Sequence, residues 1–152
     1  MASQTAPVLL KTAPLLLLDG SLVYDPSGKT AGGELRFGVR ALRFDGDGLV
    51  LSAGVAVARK PGLVGQASWT LFASASEDSE DSHRRFFLDA LLRGRLAPID
   101  GGLALGGGGG VQLHGWLGGP MSWLLAASFE GVHGPSGTIF TPLVLLGLRV
   151  DL

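Results

Sequence analysis

The residues of this chain that ordinarily carry chemistry are few, and their spacing argues against most of it. His83, His114 and His133 lie too far apart for a metal-ligand motif. Cysteine is absent, which removes disulfides and thiolate sites. The acidic run SEDSEDSH (76–83) brings Glu77, Asp78, Glu80 and Asp81 together. It lacks the glycine and the terminal glutamate of a calcium-binding loop, so it reads as a solvated loop. The run GGGGG (106–110) is followed neither by the lysine and hydroxyl residue of a phosphate-binding loop nor by a helix. It reads as a strand interior where glycines let the wall curve or make room for long arginine side chains opposite. No catalytic residue, no cofactor and no metal is expected, and the chain is not expected to be an enzyme.

What remains is a set of charges with a regular placement. The stretch GELRFGVRALRF (33–44) alternates apolar and polar residues, as a strand does when successive side chains project to opposite faces. Leu35, Phe37, Val39 and Ala41 share one face; Glu34, Arg36, Gly38 and Arg40 share the other. Extended along the chain, the same alternation collects Asp19, Glu34, Arg36, Arg40, Arg85, Asp89, Arg93, Arg95, Glu130, Arg149 and Asp151 on one face. Arginines and carboxylates are nearly balanced there, as a narrow interior would require, because an unpaired buried charge is expensive. Asp19, Glu34, Arg36, Arg40, Arg85, Asp89, Arg93, Glu130 and Arg149 are therefore expected to form an interior polar network. Asp19 is expected to approach Arg149 and Asp151 if the first strand meets the last. Arg85, Asp89 and Arg93 are expected to repeat the pattern further round.

The elements that must position these charges follow from the turns. DPSGKTAGG (25–33), DGDG (45–48), RKPG (59–62), SEDSEDSH (76–83), APIDGG (97–102), WLGGP (116–120) and HGPSG (133–137) carry the Gly, Pro, Asp and Ser that tight turns need. Seven turns imply about eight strands of roughly 11–15 residues, longer than soluble sheets favour and suited to a tilted bilayer crossing. RRFFLDALLRGRLAPI (84–99), read as a strand, also fits a helical period. The opposite face is apolar in every strand: Leu49, Leu51, Val55 and Val57 in the third, for example. In the fourth it comprises Leu63, Ala67, Trp69, Leu71 and Ala73, with Gln66, Ser68, Thr70 and Ser74 opposed. In the last it runs Phe140, Val144, Leu146, Leu148, Val150, Leu152.

Composition decides which face is wet. Apolar residues make up 46% of the chain and charged ones only 16%, against roughly 25% in an ordinary soluble domain. The mean hydropathy is +0.36, and there are three lysines against nine arginines. A net charge of −1 offers nucleic acid no basic field. No run of about 18 apolar residues exists, so a membrane helix is not expected. A Leu-rich outer face around a lumen of small residues, arginines and acids has the inverted polarity of a transmembrane barrel.

On this pattern of eight alternating strands, meander turns, inward Arg/Glu pairs and an apolar last strand, the chain resembles the small outer-membrane barrels of Gram-negative bacteria, the OmpA/OmpX-like class. The resemblance implies an all-β, up-and-down antiparallel barrel of about eight strands that crosses the membrane. One barrel domain over 1–152 is expected, with 1–13 a flexible N-terminal segment. The implied location is the bacterial outer membrane, as a mature form without its signal peptide. The implied role is structural or interaction-type, without an open pore. Membrane lipid or detergent would surround the barrel, and other envelope proteins would meet its loops. Lipid-modifying barrels use His, Ser and an acid on the outer surface. Here His114, Ser128 and Glu130 are expected to point inward, so a structural hydrogen-bond network is the stronger reading and a lipid-modifying enzyme a minor alternative. The main alternative is a soluble barrel that binds an apolar ligand with the Leu-rich face turned inside.

Overall fold

The computed structural model describes residues 15–42, 48–57, 61–74, 86–99, 102–135 and 137–152. Eight antiparallel strands follow one another in a meander: β1 (Leu15–Asp25), β2 (Thr30–Leu42), β3 (Gly48–Val57), β4 (Gly62–Ser74), β5 (Phe86–Ile99), β6 (Gly102–Gly118), β7 (Met121–Gly134) and β8 (Gly137–Asp151). They close into a barrel, β8 pairing back onto β1. Closure leaves no sheet edge open. The expected all-β, up-and-down antiparallel barrel is thus the fold. Residues 1–13 and Arg85 lie outside the described residues, as does the acidic run 76–83.

The register carries a stagger. A lateral row that leaves β1 at Leu15 passes Arg40, Val50, Ser68, Leu91, Gly110 and Ser128 and reaches β8 at Leu143. Leu143 adjoins Val144, which pairs with Tyr24, so the row does not return to its starting level. Such stagger is what tilts the strands of a barrel, by about 35–45°. Strands of 10 to 17 residues are long enough to cross a bilayer at that tilt.

Alternation sorts the side chains as the sequence suggests. Leu22, Phe37, Leu51, Val55, Leu92, Leu105, Phe129 and Leu146 are exposed on the outer surface. Asp19, Glu34, Arg36, Asp89, Arg93, Glu130 and Arg149 are buried in the lumen. A soluble cup with the Leu-rich face inside would need the reverse arrangement. Aromatic residues cluster near one end, on the strand ends around the β4–β5 connection and the β6–β7 turn. Trp69, Phe72, Phe86, Trp116 and Trp123 lie there, with the Phe86 and Trp123 rings 6.0 Å apart. Tyr24 and Phe140 lie toward the opposite end.

Two expectations need correction. In β4 the alternation breaks at a bulge between Thr70 and Phe72. Beyond it Phe72 stands opposite the outward Leu88, and Ala73 opposite Phe87, so Ala73 and Ser74 exchange the faces expected of them. The lumen is also less polar than expected. Leu91, Ala126, Leu143 and Leu145 form a buried apolar cluster against which Val23 packs. The side of the barrel built by β5, β7 and β8 is therefore greasy within. β5 is strand throughout, despite its helical period. Its apolar residues occupy both faces, Leu91 inward and Leu92 outward, and that blurs the two-residue alternation.

The glycine run lies inside β6, as expected. Its inward members are where the β6 backbone lies close against β7. A Cβ on Gly108 would overlap the Phe129 carbonyl oxygen and sit 2.7 Å from Glu130 Cα. One on Gly110 would overlap the Ala127 carbonyl oxygen and sit 2.6 Å from Ser128 Cα. The outward Gly107 meets only the Arg93 carbonyl oxygen, at 3.6 Å. Gly108→Ala should therefore cost on the order of 1–3 kcal/mol, as overpacking does. Gly107→Ala should fall within about 0.5 kcal/mol of the parent or stabilise it. Denaturant unfolding in lipid vesicles measures both; equal effects would show that β6 does not need glycine there to approach β7.

Candidate functional site

Most of the functional side chains form one connected network in the lumen, and the register explains how. Asp19 stands in a lateral row between Arg36 on β2 and Arg149 on β8. Arg149 donates two parallel hydrogen bonds to the Asp19 carboxylate, from Nε at 2.7 Å and from Nη2 at 3.0 Å. This is the bidentate fork that suits arginine to carboxylates. Both residues are 0% exposed. Arg36 completes the triad more loosely, with Nη2 3.8 Å from Asp19. Its closer partners are Glu34, at 2.8 Å, and the Ser21 hydroxyl, at 3.2 Å.

Arg93 carries the network across the lumen. It shares a row with Gln66 on β4, Gly108 on β6 and Glu130 on β7. Gly108 has no side chain to stand between Arg93 and Glu130, so Arg93 Nε donates to Glu130 at 2.5 Å over the β6 backbone. Nη1 donates to Gln66 at 3.0 Å. Nη2 donates to Glu34 of β2, a strand not adjacent to β5, at 2.5 Å. One guanidinium thus ties β5 to three other strands. The arginine-accommodating role expected of the glycine run is met at this pair.

Beyond Gln66 the network turns toward the opposite end. Gln66 donates to Gln112 at 3.1 Å, and Gln112 donates to Asp89 at 3.0 Å. Asp89 also accepts from the Thr70 hydroxyl at 2.9 Å and lies 3.0 Å from His114 Nδ1. The His114 ring stacks on Phe87, with centroids 4.5 Å apart. Arg40 forms a separate pair with Asp151, at 3.1 Å and less deeply buried. Asp19, Glu34, Arg36, Asp89, Arg93, Glu130 and Arg149 are therefore members of one lattice, and Arg40 stands beside it. Asp89 does not repeat the Asp19 pattern, because its partners are His114, Gln112 and Thr70 rather than Arg93. Asp151 pairs with Arg40 rather than approaching Asp19. Arg95 is only half-buried and lines the lumen further up.

His114 has an acid partner but no nucleophile arranged with it. Its neighbour on β7 is Leu124, while Ser128 stands opposite Gly110 and Glu130 opposite Gly108. The Ser128 hydroxyl, buried, makes no hydrogen bond to protein. Among the described residues no group of three or more potential metal ligands comes together. What the arrangement does chemically is pair buried charges across the lumen.

Gln66, Gln112, Thr70 and Ser21 were not expected in the network. Their inward parity is visible in the sequence, but carrying no charge they give no sign that a partner is required.

Removing one partner of a dry charge pair leaves the other uncompensated, at about 3–5 kcal/mol. Glu130→Ala is expected to lose stability on that scale, and Asp89→Ala, which leaves Thr70 and Gln112 without their acceptor, about 1–3 kcal/mol, whereas Leu105→Ala on the outer surface should lose far less. Unfolding free energies in lipid or detergent decide this; small and equal losses would mean that these carboxylates are not buried.

No protein-family model, no curated protein and no solved structure matches this chain.

Proposed function

We propose that this chain is a membrane-spanning barrel of the bacterial outer membrane, closed to ions by its lumenal lattice, with a structural or interaction role. The observation that carries this reading is the distribution of charge. Among the described strand residues every Asp, Glu, Lys and Arg has inward parity, and the outward positions are apolar or glycine except near strand ends, where Ser74, His133 and Thr138 lie. A surface of that kind is costly in water and favourable in hydrocarbon. The exposed tryptophans and phenylalanines near one end, with Tyr24 and Phe140 toward the other, suit the two interfaces of a bilayer. Lipid is the partner of the band, and other envelope proteins would be met through the connections between strands.

Closure of the lumen follows from strand number and from Arg93. Eight strands enclose only room enough for side chains. The contacts from Arg93 to Glu34, Gln66 and Glu130 span that room.

Spin labels at Leu51 and Val55, in barrels reconstituted into phospholipid vesicles, test the reading. Relaxation by dissolved oxygen with protection from a water-soluble nickel chelate is expected at both positions. The same preparation in planar bilayers should give no steady unitary channels. Labels equally open to the chelate, or channels of uniform size, would refute it.

A further inference from the structure

The charged lattice fills the middle of the lumen but not its end. Between the Arg93–Glu130 pair and the end formed by the β1–β2 and β7–β8 hairpins lies a cavity of about 360 Å³. Its walls are small or apolar: Val23, Ala97, Ala104, Val132 and Leu143. An eight-stranded barrel is just wide enough for side chains to fill. Here Gly32, Gly134 and Gly137 add nothing to the filling, and the space stays open. Its volume equals that of roughly a dozen waters and falls in the range of small-molecule pockets, about 300–1,000 Å³.

We propose that this cup is a binding site for a small uncharged amphiphile, such as an alcohol with a short chain or a single ring. Three observations define the class. The greater part of the wall is apolar, which suits an apolar body. The Thr30 and Thr141 side chains on opposite sides of the β1–β8 seam supply hydroxyls for one polar group. The charges of the lining are already balanced. Glu130 is paired with Arg93, and the other two charges of the lining, Asp25 and Arg95, are of opposite sign. The Asp25 carboxylate accepts hydrogen bonds from the Ser27 hydroxyl and the Gly28 N–H. A ligand with net charge would bring an uncompensated charge into a low-dielectric cup. The cup does not depend on the medium around the barrel, so its failure would leave the membrane reading standing.

The test titrates 2-phenylethanol into the isotopically labelled full chain in lipid nanodiscs and follows backbone amide shifts. Saturable shifts are expected at Thr30, Ala97, Ala104 and Thr141. Ala104→Phe, which fills the cup, should weaken binding at least tenfold. Ala97→Leu serves the same purpose if Ala104→Phe does not fold. Phenylacetate and 2-phenylethylamine, of the same shape but charged, should bind at least tenfold more weakly. Shifts that never saturate and fall chiefly on outward residues such as Leu51 and Val55 would show partition into lipid only and overturn the site. Unchanged binding in a folded cup-filling variant would overturn it too. Equal binding of the charged analogues would overturn the ligand class.

Discussion

The guanidinium of Arg93 is the constraint on which the barrel's interior depends. It is buried, and a lone cation there would cost several kcal/mol. The fold answers with two carboxylates and an amide on three different strands. Glu34, Gln66 and Glu130 each take one donor. Glu34 also holds Arg36, and Arg36 approaches Asp19 and thus Arg149, so the charges of the lattice form one connected chain, although Arg36 Nε and Arg149 Nη1 have no partner in it. Such a lattice penalises any slip of register, since a slip by one residue would turn its members to the other face.

The rest of the architecture serves that lattice. Gly108 removes the side chain that would separate Arg93 from Glu130 and lets β6 approach β7. The apolar cluster around Leu91 and Leu145 occupies another part of the lumen without adding further polar groups to be satisfied. On the outside, side chains of the same strands form an uncharged band. Inversion of polarity and pairing of the interior charges are thus one property seen from two sides: arginines and acids can leave the exterior only because the lumen pairs them.

Much of this was legible in the sequence, for a physical reason. A two-residue period survives outside the irregularities at Thr70/Phe72 and Trp116/Gly118, so the inward parity of Asp19, Glu34, Arg36, Arg93, Glu130 and Arg149 could be read directly, and closure placed Asp19 beside Arg149. Partnerships across the lumen could not be read, because Arg93 reaches Glu34 through space that no local pattern describes. Asp89 was misassigned for that reason: its neighbours on β4 and β6 outcompete the arginines of its own strand. The bulge after Thr70 was also invisible, since Leu71 and Phe72 are both apolar and either can face outward. The greasy side of the lumen was masked by β5, β7 and β8 carrying leucine on both faces.

The most direct test of the central claim is a double-mutant cycle between Arg93 and Glu34, using Arg93→Met and Glu34→Gln and unfolding free energies in lipid vesicles. The two side chains belong to strands that are not neighbours, so coupling between them reports the bridge across the lumen. A coupling energy of about 1–3 kcal/mol is expected for groups in direct contact. Additive effects, within about 0.3–0.5 kcal/mol, would mean that the bridge does not hold the barrel together.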